Sequence, residues 1–377
     1  MNTLCRLASL TALLVAALLS PLTARAAAAA AGQDDLLLIT KGGKCGFIDR
    51  TGKVVVEPRF EEAWAFSDGM AVVKLGGKYG YIDPTGRLAI EPQFPNAWSF
   101  DHGRAAAYFS DAKKWGFLDK AGRAVVTPAY GGVRHFSPDG LARVDSPNYR
   151  YGYVNRDGKV VVPPQFTDGG DFQDGLAAVR TADRGWGYID TAGKWAIEPQ
   201  FTQANRFTAG LADVTTRDAK RVTIDKAGKV RFPYQVGTFA EGLAPCVPNA
   251  DGKWGYIDPD GKVVIAPTFG YADPFTDGLA RVQSGQYEYG FIDKSGKLVI
   301  NGKWVNAGGF SEGLAAVSAG TLHEHKYGYI DKTGRMVIAP QFTSAGPMSG
   351  GVAPVTTTDG LNGWIAANGQ YVWPPSK

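Results

Sequence analysis

The sequence predicts an all-β protein assembled from tandem repeats, and three observations predict it. One motif is written ten times: aromatic-Gly-aromatic-Ile-Asp, two residues, Gly, Lys/Arg, three apolar residues and usually Pro, most plainly at residues 79–92, 254–267 and 327–340. The Gly three residues past the Asp column recurs at Gly52, Gly86, Gly122, Gly158, Gly193, Gly228, Gly261, Gly296, Gly334 and Gly369, with spacings of 34, 36, 36, 35, 35, 33, 35, 38 and 35. A fixed period of roughly 20–50 residues marks a repeat architecture. No stretch beyond the N-terminal segment sustains helical periodicity, whereas aromatic and β-branched residues cluster in short runs bounded by turn residues.

Residues 1–26 read as a signal peptide. Arg6 supplies the positive start, residues 7–19 the apolar run, and Ala24-Arg25-Ala26 the small-x-small cleavage site. The run is shorter than the roughly 20 residues that span a bilayer. Cys5 precedes it and so cannot be a lipid-bearing cysteine. The expectation is export, to the periplasm, the surface or the medium, with cleavage after Ala26 and no membrane span in the mature form. Of 40 Lys and Arg, cleavage removes Arg6 and Arg25, leaving 38 against 36 acids, a net charge of +2. Interspersed signs at that balance give no clustered basic footprint for nucleic acid. Cys45 and Cys246 are too few for a disulfide scaffold. Residues 27–43 read as an N-terminal extension and 44–377 as one array, with units starting near 44, 78, 114, 150, 185, 220, 253, 288, 326 and 362.

Within a unit, residues 78–83 favour a strand. Asp-x-x-Gly then makes a turn, because the Asp side chain accepts from backbone N–H groups further on and Gly takes the left-handed position. Residues 87–90 return as a second strand, which Pro92 is expected to close, proline having no N–H for a ladder. The other half-unit carries Phe66, Phe100, Phe136, Phe172, Phe207, Phe239, Phe275 and Phe310 in one column, with Met348 in the ninth copy. A Gly turn follows, then Ala-x-Val as a third strand. A weak fourth strand is placed around Gln93-Phe94. Columns common to the copies are most simply the packing between units, since one unit cannot bury its apolar face alone. Unit six departs from the pattern: Arg221-Val222-Thr223 stands where the others have aromatic-Gly-aromatic.

These residues resemble the WG-repeat family, named for its Trp-Gly pair, seen here at Trp115-Gly116, Trp186-Gly187 and Trp254-Gly255. The resemblance covers nearly all of the mature chain and implies the repeat architecture, an exported bacterial setting and a binding role. It supplies no catalytic residues. Ten short units fit an open solenoid or superhelix better than a closed propeller of 4–8 longer blades. A propeller-like ring, or a pair of rings, is the alternative. In a straight stack Cys45 and Cys246, five units apart, are too distant to bridge and stay free.

Chemistry-bearing motifs are few. His323-Glu324-His325 is the closest approach to a metal set, and a polar loop is the simpler reading. The repeated Asp has turn chemistry rather than calcium-loop spacing. No nucleophile elbow or phosphate loop occurs. The expectation is therefore no catalytic residues, no metal and no cofactor. One column varies: two residues before the Phe column stand Trp64, Trp98, Arg134, Gly170, Asn205, Gly237, Asp273, Gly308 and Gly346. A position accepting Gly, Asp and Arg is not core, so Trp64 and Trp98 are expected to be exposed as ligand contacts. The functional expectation is an exported, non-catalytic scaffold binding a protein or a cell-envelope glycan. A structural envelope protein without a ligand is the alternative, and a hydrolase the third reading.

Overall fold

The computed structural model describes residues 35–285, 288–321 and 325–376. The segment read as a signal peptide therefore lies outside the described residues. The described chain forms ten antiparallel sheets in series, hereafter blades, one of three strands and nine of four. Blade 1 holds β1 (Leu37–Lys41), β2 (Lys44–Ile48) and β3 (Val54–Phe60); blade 2 holds β4 (Glu62–Ala63), β5 (Ala71–Leu75), β6 (Lys78–Ile82) and β7 (Leu88–Phe94). Blade 2 sets the pattern that blades 3 to 10 repeat, from Asn96 to Ser376. Strand β1 lies inside the stretch read from sequence as an extension, because Leu37 and Ile39 are buried against the last blade.

The aromatic-Gly-aromatic motif occupies β6. Its register with β7 pairs Tyr79 with Phe94 and Tyr81 with Ile90, so residues 91–93 bulge opposite the single Gly80. A β-carbon on Gly80 would sit 2.5 Å from the Ile90 carbonyl oxygen and 2.7 Å from the Pro92 nitrogen. Only glycine lets the bulge close over the strand. Pro92 does not end β7, as expected from sequence; it sits within the bulge on an edge strand, where its missing N–H breaks no ladder bond. Gln93 and Phe94 accordingly belong to β7, and the fourth strand is a two-residue piece just beyond, Asn96–Ala97, which opens blade 3. The Asp turn forms as predicted: Asp83 Oδ1 accepts from the backbone N–H groups of Thr85 at 2.9 Å and Arg87 at 3.1 Å, with Gly86 at φ 82°.

Three kinds of contact join neighbouring blades. In seven joints the second aromatic of the motif meets the column Phe of the next blade, as in Tyr81–Phe100 at 4.8 Å and Tyr188–Phe207 at 4.8 Å. Where that aromatic is Tyr, its buried hydroxyl donates to a carbonyl in the next blade, Tyr81 to Trp98 at 2.9 Å and Tyr188 to Asn205 at 2.7 Å. At the turn before the Ala-x-Val strand, acids in the left-handed conformation reach forward to the next turn. Asp174 accepts from the N–H of Gly210 at 2.8 Å, Asp277 from Gly313 at 2.9 Å and Glu312 from Gly351 at 2.8 Å.

Side-chain bonds to backbone carbonyls join blade 10 to blade 1. Trp364 stands at the second-aromatic position and donates its indole N–H to the Leu38 carbonyl at 2.9 Å. The Ser376 hydroxyl donates to the Thr40 carbonyl, as Thr202 does to Thr215 and Thr343 to Thr356 within their blades. Arg50 donates to the Ser349 carbonyl at 2.6 Å. The expected open solenoid is thus replaced by a closed, propeller-like ring of ten blades. More blades fit than the sequence suggested because these blades are small, eight of the ten opening with a strand only two residues long. The thiols nevertheless stay free: Cys45 packs in the core of blades 1 and 2 and Cys246 in that of blades 6 and 7.

The bulge makes a prediction. Gly187 faces the Ile197 carbonyl oxygen at 2.6 Å and the Pro199 nitrogen at 2.7 Å from the place of a β-carbon, whereas Gly210, at φ +80°, has open space. Gly187→Ala should cost about 3 kcal/mol through overpacking, and Gly210→Ala about 1 kcal/mol of backbone strain. Denaturant titration of the two variants checks the order.

Candidate functional site

The repeat breaks at the joint between blades 6 and 7, and a cavity lies at the break; larger ones, of about 320 and 410 Å³, lie between blades 9 and 10 and at the closure. Unit six has no Gly-and-bulge pair: Val222 replaces the Gly, and the edge strand shortens to Val230–Phe232, pairing Thr223 with Phe232 without the intervening bulge. Thr223 replaces the aromatic. In seven other joints that aromatic covers the column Phe at ring distances of 4.7–5.0 Å. Here Phe239 loses its cover, stays half-buried and lines a cavity of about 150 Å³ with Asn205, Arg206, Thr223 and Asp213. A second cavity of about 190 Å³ adjoins it, sharing Asn205 and Asp213 and adding Gln203, Thr215, Arg221 and Gln235.

Asp213 is the acid common to both. It sits across the sheet from Thr223, at the middle of an Ala-x-Val strand where blade 5 has Ala178 opposite Tyr188. The Thr223 hydroxyl donates to Asp213 Oδ1 at 2.5 Å and itself accepts from the Val236 N–H at 3.1 Å. Burial pushes the Asp213 carboxyl above its ordinary range; the bonds from Thr223 and Val236 and the charge of Arg221 only partly offset this. Two other blades place a charge in the same column. Arg143 lies 4.5 Å over the Tyr151 ring, and Arg281 pairs with Asp273 at 2.6 Å. Both arginines also donate to backbone carbonyls of the next blade, those of Gly169 and Ala307, so they serve as joint ties, whereas Asp213 faces a cavity.

Of the residues singled out from sequence, Trp64 is 38% exposed. Trp98 is not free as expected: it is half-buried, its ring 5.5 Å from Trp115 and 5.0 Å from His135 of the next blade. The column thus holds one exposed indole and one that covers a joint. His323 and Glu324 lie outside the described residues, and His325 meets Tyr327 at 5.6 Å. Among the described residues no group of three His, Cys, Asp or Glu side chains gathers to hold a metal, and no helix is long and apolar enough to cross a membrane. Sequence reasoning missed Asp213. The signal available was the coincidence of a lost aromatic at 223 with an acid in the Ala-x-Val column ten residues before.

Comparison with known families finds the WG containing repeat at residues 46–79, 79–109, 115–145, 151–183, 186–218, 254–287, 289–320 and 327–360. The chain belongs to the WG containing repeat family. The matches skip the unit that begins near residue 220, the one that leaves the cavity in this WG-repeat ring. No curated protein matches the sequence. Among solved structures the chain is similar to the extracellular domain of a hybrid two component system from B. thetaiotaomicron, at 12% identity and a TM-score of 0.26, over 91% of this chain and 57% of that one. The extracellular domain of a one component system from the same organism is similar at 12% identity and a TM-score of 0.30, over 89% of this chain and 57% of that one. BamB from Moraxella catarrhalis is similar at 11% identity and a TM-score of 0.32, over 88% of this chain and 91% of that one. The chain spans 57% of the length of the first two.

The raised Asp213 carboxyl sets a pH dependence. A carboxyl that holds its proton more tightly folded than unfolded contributes stability at low pH, and that contribution is lost as pH rises through the folded value. Asn keeps the acceptor oxygen for Thr223 and never ionises. Asp213→Asn should therefore melt above the wild type at pH 7, with the gain vanishing near about pH 3, below the unfolded carboxyl's range. Thermal melts of both proteins across that interval check it; a constant difference would show that ionisation is not the cause.

Proposed function

We propose that this WG-repeat protein is an exported, non-catalytic scaffold that binds a protein or cell-envelope glycan on the ring edge carrying Trp64. One observation carries the reading. The columns common to the blades are consumed in packing: the glycines under bulges, the second aromatics against the next blade, the acids at the turn tips. The column of Trp64 varies from blade to blade and projects an indole into solvent. Large exposed aromatics of this kind make strong contacts, either against a partner's apolar side chains or across a sugar ring. Export rests on the composition of residues 1–26. The non-catalytic part rests on the cavity's inventory: Asp213 is the single carboxylate lining it, and glycoside hydrolysis ordinarily engages two.

Trp64→Ala should leave the melting temperature nearly unchanged and abolish recovery of a partner from envelope extract by the immobilised protein. Trp98→Ala should instead destabilise by about 1 kcal/mol, the worth of its ring contacts. Undiminished recovery with Trp64→Ala would overturn the assignment of this edge.

A further inference from the structure

We propose that the cavity at the joint of blades 6 and 7 is a binding site for a neutral pyranose sugar, free or at the end of a glycan. The proposal stands on that cavity and does not depend on the Trp64 edge. Four features converge there, the first two from one local change. Thr223 replaces an aromatic, which leaves the space that a Tyr or Phe ring fills at the other joints. The removal uncovers Phe239, an apolar ring of the kind on which the C–H face of a sugar lies. Asp213 stands where six other blades have a small or apolar side chain and lines both parts of the cavity; its Oδ1 is engaged by Thr223 and Val236, and among the described residues no hydrogen bond reaches its Oδ2. Asn205, Gln203 and Gln235 supply amide groups that both donate and accept.

The chemistry of this lining selects among ligand classes. A carboxylate that accepts hydrogen bonds, beside amides that do both, matches a set of neighbouring hydroxyls, each able to donate and accept. Arg206 and Arg221 reach the lining from exposed positions, so an anionic ligand would gain their charge at the rim but meet the half-buried Asp213 as a like charge. A purely apolar ligand would leave the Asp213 oxygen and the amides unpartnered, a loss comparable to that of buried polar groups. The two volumes, about 150 and 190 Å³, suit one ring with a substituent rather than an extended chain. Sugar hydroxyls donating to Asp213 would also replace water around a carboxylate that burial already disfavours.

The test uses the protein as exported, with glucose, galactose and N-acetylglucosamine as separate probes in saturation-transfer NMR. At least one should receive saturation, most strongly at its ring C–H protons. Asp213→Asn, which keeps the fold, should weaken binding about tenfold, as expected for loss of a hydrogen bond to a charged group. The paired substitution Asp213→Ala with Thr223→Tyr copies the Ala178–Tyr188 pair of blade 5 and refills the space. It should abolish transfer while holding or raising the melting temperature. Trp64→Ala should bind the sugar normally, which separates this site from the partner-binding edge. Absence of transfer to all three probes overturns the proposal, as does transfer that survives in the refilled variant.

Discussion

The absent β-carbon at one glycine in each blade but the sixth is the constraint on which the ring depends. Where Gly80, Gly187 or Gly255 lies, the edge strand must crowd three residues against one, and its carbonyl and proline nitrogen arrive within 2.8 Å of where a side chain would begin. That bulge turns the end of the strand so that, a residue later, the chain enters the next blade. The aromatics on either side of the glycine then have fixed directions: the first lies beside the bulge, and the second points into the next blade, where its ring and, in tyrosines, its hydroxyl are received. The Trp-Gly signature is the visible part of a device for passing the chain from sheet to sheet.

Blade 6 gives the internal control for this account. Its glycine is replaced by Val222, and in the same blade the bulged segment is missing, the edge strand being three residues long against seven in blades 2 and 5. The two losses go together as the steric argument requires. The third loss, the aromatic at 223, has a different consequence, because a ring removed from a joint leaves space that the neighbouring backbone does not close.

Much of the architecture was legible from the repeat alone. The Asp-x-x-Gly turn, the hairpin and the Phe and Ala columns need only local chemistry and internal comparison, and they stand as read. Three things were not legible. The continuation through Pro92 depends on which face of the strand the missing N–H points to, and that is set by the edge position. The place of Trp98 depends on His135 and Trp115, residues in a different unit. Closure depends on a handful of contacts between residues some three hundred positions apart, such as Trp364 with Leu38, and no short-range pattern encodes them. The candidate site was half legible: the degenerate unit was plain, but Asp213 gains meaning only when the sheet register sets it opposite Thr223.

Closure also bears on how a flawed joint survives. Between blades 6 and 7 the aromatic pair is gone, and the turn tip carries Ala209, which has no carboxylate to offer the next turn. In a linear stack, stability is a sum over neighbour interfaces, and one poor interface lets the two halves drift apart as independent bodies. In a ring, the two faces of that joint remain tethered through the nine good ones. Parting them becomes an intramolecular event, opposed by a high effective concentration. Joined ends therefore let a single seam diverge chemically from the rest without dividing the molecule, which makes the seam a place where new recognition chemistry can accumulate at little structural risk.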